Sequence, residues 1–308
     1  MATTTADVAA ARPTPSRRAS AGLWSDAWYR IRRDRLTMIS FAILFFLIVI
    51  SLGADFLAQN VFRMKPEAQS LLDSYAKPTT EPLAYLLGAD ELGRSQVVRL
   101  LYGGRVSLAV GFFAAAIQLT IGVALGLIAG YNRGLIDDAI TFVITVLNSI
   151  PTLFLLLIIT ALFSPSPTVL ILVLGLLFWT GITLFVRGQT FALREREFVT
   201  AARTIGASPL RIMLRHILPN VLPLIFILAA IDIGQIILAE SALSYLGLGI
   251  LPPDASWGNM LSNASQYFVR GWWLVVSPGV AIFLTVLCLY LIGDGLRDAL
   301  DPRLKGSH

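Results

Sequence analysis

The sequence predicts an all-α membrane protein that crosses the bilayer six times. Three observations lead there. Of 308 residues, 56% are hydrophobic and only 14% charged, where a soluble domain carries about 25%. The apolar residues gather into six runs, each about long enough to span a membrane. The basic residues flank those runs. The net charge of +5 and the isoelectric point of about 9.6 therefore reflect orientation in a bilayer rather than nucleic-acid binding.

Residues 1–22 are rich in Ala, Thr, Ser, Pro and Arg and read as a disordered cytoplasmic tail. They contain no apolar core of the kind a signal peptide needs. In 23–35, Leu23, Trp24, Ala27, Trp28 and Ile31 recur at helical spacing, and Arg30, Arg32, Arg33 and Arg35 crowd the end. That pattern is an amphipathic helix lying among lipid headgroups. The plainer reading is the basic flank of a first span.

The spans fall at 36–57, 106–129, 138–163, 168–187, 218–239 and 273–296. Each supplies the roughly 20 residues, at about 1.5 Å apiece, that cross a hydrocarbon core of about 30 Å. Six crossings put both termini on one side. Seven arginines in the first 35 residues, Arg133, the arginines of 194–219, and Arg297, Arg303 and Lys305 make that side the cytoplasm. The last segment, 297–308, is then a cytoplasmic C-terminus. The polar loop 58–104, with Pro66, Pro78 and Pro82, is too long for a hairpin and predicts an extracytoplasmic subdomain. Residues 105–296 form the core with five of the spans.

Several chemistries lack their residues. Cys288 is the one cysteine, so no intrachain disulfide forms, and His216 and His308 are the only histidines. No spacing suits a metal, and no glycine-rich phosphate loop suits ATP. No set of polar groups gathers at one depth as a membrane enzyme would need. No catalytic residue, metal site or cofactor is assigned to this chain.

Inside the spans, Gly122, Gly126 and Gly130 recur every fourth residue and predict close helix packing, with a dimer face as the alternative. Asn148 and Pro151 interrupt the third span, where the proline predicts a kink. Asp232 lies within the fifth span and Glu240 at its end. A mid-bilayer charge costs about 2.5–3.5 kcal/mol on insertion scales. Asn148, Pro151, Asp232 and Glu240 are therefore candidates to line a translocation path. The alternative for the acids is a paired or protonated structural role.

The most polar internal stretch is 194–219, with five arginines, two glutamates and a histidine. It predicts two short helices and a bend. The first runs over 191–204, with Phe191, Phe198, Ala201, Ala202 and Ile205 near one face. Gly206 ends it through a positive φ. Ser208 caps the second and Pro209 opens it. That helix runs through Leu210, Ile212, Met213 and Ile217, and Pro219 ends or kinks it.

This stretch resembles the coupling loop of ABC-importer permeases, whose pattern is Glu-Ala-Ala, three residues, Gly, then Ile-Leu-Pro. Ala201, Ala202, Gly206, Ile217, Leu218 and Pro219 match, and Thr200 stands where the family has glutamate. Three further stretches resemble the dipeptide/oligopeptide/nickel branch of that family. Leu87, Gly88, Asp90, Leu92, Gly93 and Arg94, followed by Leu101, Tyr102, Gly103, Arg105 and Leu108, match one signature. There Gly88 and Gly93 allow a tight turn, Asp90 suits a helix cap and Arg94 an acid partner. Leu243, Ser244, Leu246, Gly247, Leu248, Gly249, Pro252, Pro253, Ser256, Trp257 and Gly258 match a second. The glycines and prolines suit either a loop dipping toward a pore or a rigid turn. The ending GDGLRDALDPR matches the third.

The resemblance implies the six-helix type I importer permease fold. It implies a C-type subunit beside a homologous second permease in a heterodimer. It implies two nucleotide-binding ATPase domains, which carry ATP and Mg, and an extracytoplasmic binding protein that delivers di- or oligopeptides. The location implied is a bacterial inner membrane. The coupling contact would use the loop 189–217 through Arg196, Phe198, Thr200, Ala201, Ala202, Gly206, Ala207, Ser208, Pro209, Leu218 and Pro219. Nickel complexes or another small solute remain the alternative cargo. A gradient-driven carrier working alone is the alternative class.

Overall fold

The computed structural model describes residues 23–300. The tail 1–22, residues 301–308 and the side chains of Leu23, Trp24 and Asp26 lie outside the described residues. Helix α1 (Leu23–Arg33) lays Ala27 and Ile31 against Ala299 and leaves Trp28 and Tyr29 exposed. Arg32 and Arg33 stack over those two rings at 4.7 and 4.4 Å. Asp34 then caps α2 (Arg35–Leu52), its carboxylate accepting from the amides of Leu36 and Thr37. The thirteenth residue of the predicted headgroup helix, Arg35, thus already belongs to the span.

A short helix Ala54–Phe56 and a π-turn Leu57–Val61 prolong α2. The following segment contains only single turns, held by Gly88 (φ +80°) and Gly93 (φ +70°) and one isolated bridge between Ala89 and Ser95. The cap of α3 (Gln96–Asn132) is Ser95, which accepts from Val98 N. Asp90 is not the cap. Its carboxylate accepts from the amides of Leu92 and Arg94 at 3.0 and 2.9 Å, and pairs with the Arg94 guanidinium at 2.7 Å. The tight turn aims the aspartate at its own loop before the helix begins.

Helix α3 has 37 residues, about 55 Å at 1.5 Å each, and forms the axis of the bundle. The predicted third span is two helices, α4 (Leu135–Asn148) and α5 (Thr152–Leu162), bent by 84° at the Ser149–Pro151 break. This is far more than a proline kink, because three residues leave the helix altogether. Next come α6 (Pro167–Leu177) and α7 (Trp179–Leu193), with a small break at Phe178. Helix α8 is Glu197–Thr204 and α9 is Pro209–Ile212. Helix α9 runs through a π-turn, Met213–Ile217, straight into α10 (Leu218–Tyr245). Pro219 therefore does not end the second elbow helix. The π-turn before it absorbs the backbone bond that its ring displaces. A short α11 (Ala264–Arg270) precedes α12 (Trp273–Leu300).

Five of these helical runs are long and apolar enough to cross a membrane, or six if α4 and α5 count as one span. Lipid is as apolar as leucine, so the helices are held by close fit and polar ties rather than by expulsion from water. Gly122, Gly126 and Gly130 supply that fit. They face Ile182, Val186 and Thr190 of α7 in the same chain, and a Cβ on any of them would come within 2.7 Å of those side chains. The glycine face is thus used internally and is not a free dimer face. The outward side chains include Phe45, Phe46, Phe113, Phe142 and Phe283, as a lipid-facing surface requires.

Candidate functional site

Two features stand out: a folded elbow at one end of the bundle and a polar cavity between the spans. The elbow starts where α7 stops at Leu193. The expected helix over 191–204 is broken at 194–196, because Arg194 turns inward. Its guanidinium donates to the carbonyls of Gly130 and Tyr131 at 3.1 and 2.9 Å, satisfying the open end of α3, and stacks on Phe191. Arg133 adds an ion pair to Glu195 at 2.7 Å. Sequence reading counted Arg194 only as part of the charge of the loop. A buried arginine at a helix C-terminus has no signature apart from its neighbours in space.

Helix α8 buries Val199 and Ala202 against Ile212, Met213 and Ile217, with Ile182 and Val186 beneath. Gly206 takes φ +84°, and Ala207 N donates to the Ala202 carbonyl at 3.0 Å. Ser208 Oγ accepts from Arg211 N, and Pro209 occupies the first turn of α9. Leu218 is half-buried and Pro219 exposed. What remains outside is a mixed face. Arg196, Thr200 and Ala201 are exposed, Phe198 is 42% exposed, and Ile205, Leu210 and Leu214 are 86%, 62% and 50% exposed. Ala202 stands apart from them, as part of the inner core of the elbow. No atom lies within 4 Å of where a Gly206 side chain would project.

The cavity has a volume of about 440 Å³. Its polar wall is Gln118 of α3, Asn148 at the end of α4, Thr180 of α7, and Asp232 and Gln235 of α10. The structure thus brings Asn148 and Asp232, 84 positions apart in the chain, to one space. Gln118 Nε2 donates to Asp232 Oδ2 at 2.6 Å, and Thr180 Oγ1 donates to Asn148 Oδ1 at 3.1 Å. Pro151 lies at the break beside the cavity-lining Thr152, and is itself exposed.

Glu240 is elsewhere and fully buried. It accepts from Ser107 at 2.9 Å and from Ser244 at 2.7 Å. Those hydroxyls in turn accept from Trp257 N and Ile250 N. Trp257 Nε1 donates to the Leu100 carbonyl at 3.0 Å, and Gly103 lets the loop lie directly on α3. The loop after α10 is therefore a rigid cover over α3, with Glu240 as its internal knot. Gln118, Thr180 and Gln235 are not among the candidates the sequence singles out. For the two glutamines the available signal was an isolated amide in an apolar stretch.

A family model described as binding-protein-dependent transport system inner membrane component matches residues 122–306, and one for the N-terminal TM domain of oligopeptide transport permease C matches 22–78. The chain is 38% identical over 291 residues to the dipeptide transport system permease protein DppC of Bacillus subtilis, covering 94% of this chain and 88% of that one. It is 38% identical over 281 residues to the oligopeptide transport system permease protein OppC of Haemophilus influenzae, covering 91% and 89%. It is 35% identical to the glutathione transport system permease protein GsiD of Pectobacterium atrosepticum over 282 residues, 92% of each. Among solved structures, the MetNI methionine ABC transporter in an inward-facing conformation shares the fold. Its TM-score is 0.54 at 21% identity, over 66% of this chain and 96% of that one. Elbow, spans and sequence agree: the chain belongs to the family of binding-protein-dependent transport system inner membrane components, the permeases of ABC importers.

Proposed function

We propose that this chain forms one half of the membrane passage of an ATP-driven importer of di- and oligopeptides. A homologous second permease forms the other half. Two ATPase domains bind ATP and Mg and hydrolyse the nucleotide, and an extracytoplasmic binding protein delivers the peptide. The chain itself performs no catalysis. It sits in a bacterial inner membrane with both termini in the cytoplasm. The names borne by its relatives support the peptide cargo.

One observation carries the docking assignment. The elbow has its own closed core, yet Phe198, Ile205, Leu210 and Leu214 remain in the open beside Arg196 and Gly206. Apolar groups on a polar, ordered, non-membrane surface mark a protein interface. The family contact through Thr200, Ala201, Ala202, Gly206, Ala207, Ser208, Pro209, Leu218 and Pro219 is then refined. Ala202, Ala207 and Leu218 shape the elbow from inside, and the others present its surface. ATP-driven closure of the ATPases displaces the elbow, and the unbroken run from α9 into α10 passes the motion to the cavity wall. Taking such an equilibrium from 1:99 to 99:1 requires about 5.5 kcal/mol of differential contact.

The test is Gly206→Glu in the complete complex in vesicles. Binding-protein-stimulated ATP hydrolysis and peptide uptake are lost, while membrane insertion survives. Gly206→Ala is the control. It bears the same left-handed backbone penalty, about 1–2 kcal/mol, without a charge on the contact face, and keeps measurable stimulation. Full stimulation in Gly206→Glu would refute docking through this face.

A further inference from the structure

Gln118 is 97% buried by its 3% exposure, and its two polar ends have unequal fates. Nε2 is committed to Asp232 Oδ2 at 2.6 Å, while Oε1 has no hydrogen-bond partner. A buried acceptor left unpaired loses its hydration with nothing in exchange. Across the contact, the carboxyl group of Asp232 is tied only through that neutral amide among the described residues, with no basic side chain paired to it. On the opposite wall, Asn148 spends its carbonyl oxygen on Thr180. The unmatched capacity beside Gln118 and Asp232 is thus two acceptors, one of them anionic. The volume of about 440 Å³ falls inside the range of about 300–1,000 Å³ usual for small-molecule sites.

What satisfies adjacent acceptors and also neutralises a carboxylate is a compact cation with several N–H donors. A primary ammonium has three donors and one positive charge. A carboxylate or phosphate would meet Asp232 with like charge and leave Oε1 unpaired. Water could bond to Oε1 but would leave the charge uncompensated.

We propose that the Gln118–Asp232 pair is a way-station for the protonated amino group of the solute as it crosses the membrane. This deepens the reading of the chain as a peptide importer's permease and rests on it for the identity of the amine. Asp232 supplies the charge. Gln118 positions that carboxylate through Nε2 and offers Oε1 as the second acceptor. The site favours solutes with a free, protonated amine over amine-blocked ones.

The experiment has two arms, both on the whole complex in vesicles. Gln235 is exposed and lines the same cavity, so Gln235→Cys places a reporter thiol there; the native Cys288 is 2% exposed and sets a low background. The first arm compares trimethylammonioethyl and sulfonatoethyl thiosulfonate reagents, each normalised to a free thiol. The cationic reagent reacts about tenfold faster, as one nearby charge in a low-dielectric cleft permits. Adding Asp232→Asn brings the ratio close to one, and Asp232→Glu retains it.

The second arm measures uptake of trialanine and of propionyl-dialanine, which lacks only the amine, with the affinity of the binding protein for each determined separately. Asp232→Asn reduces trialanine uptake at least tenfold more than propionyl-dialanine uptake. Absence of the cation preference, its survival in Asp232→Asn, or equal losses for both probes would overturn the way-station. If the preference depends on Asp232 but the unaltered complex transports no trialanine, the cation site is upheld and the peptide reading alone falls.

Discussion

Adding one methyl group at Gly126 is expected to part the seam between α3 and α7. The new Cβ would lie 2.6 Å from Val186 Cβ and 2.9 Å from both Val186 Cγ1 and the Thr183 carbonyl oxygen. Carbon pairs rest at about 3.5–4.0 Å. Two of the three obstacles are a backbone atom and a Cβ one bond from the backbone, so no rotamer change removes them. The helices must separate by roughly 1 Å at that level, and a gap of that size forfeits a quarter to a half of each lost contact. Overpacking of this kind costs about 1–3 kcal/mol. Gly234 gives the matched control. It is also buried in a span, but its nearest outside atom is 3.5 Å away, an ordinary contact. Gly234→Ala should be neutral, or gain up to about 1 kcal/mol from helix propensity. The assay is the thermal midpoint of each variant in one detergent, followed by fluorescence-detected size exclusion. Gly126→Ala melts lower and Gly234→Ala does not. A second change, Val186→Ala, does not rescue Gly126→Ala, because the carbonyl and the Cβ remain. Equal midpoints for the two alanine variants, or full rescue, would refute the steric argument.

Other expectations follow from the polar ties. Glu240→Gln replaces an acceptor with a donor facing two serine hydroxyls that already accept from Trp257 and Ile250. It should cost about 1–3 kcal/mol and open the loop 246–263 to limited proteolysis. Asp90→Asn removes the carboxylate that lies 2.7 and 3.6 Å from the buried Arg94 and Arg99 and leaves Arg94 only its longer pair to Glu91. Breaking such a buried pair costs about 3–5 kcal/mol, read as loss of folded protein on expression. Glu91→Gln, at a partly exposed pair of 3.4 Å, should cost at most about 1 kcal/mol.

Legibility in the sequence followed the range of the interaction. Gly206, Ser208 and Pro209 act through their own backbones, so residue type alone placed a left-handed turn, a cap and a first turn where the structure has them. Asp90 and Ser95 both precede α3 and both carry a capping oxygen. Only the Gly88–Gly93 turn, a feature of tertiary geometry, gives the cap to Ser95. Pro151 announced a disturbance, but the 84° angle depends on what α5 packs against. The glycine repeat announced close packing without naming its partner, since α7 lies some 60 residues onward in the same chain. Asp232 drew notice because an acid in a span is costly. Its mate Gln118, 114 positions earlier, did not, because an uncharged amide in an apolar helix is cheap enough to pass unnoticed.

The course of Pro209–Tyr245, 37 residues with no non-helical break, only the π-turn and one internal proline, Pro223, has a geometric consequence. From Pro209 to Asp232 is about 35 Å at 1.5 Å per residue, so tilting this rod by only about 5° about its elbow end swings the aspartate through about 3 Å. That arc is the length of a hydrogen bond. A nudge too small to disturb the fold can therefore make or break the grip on a passenger halfway along.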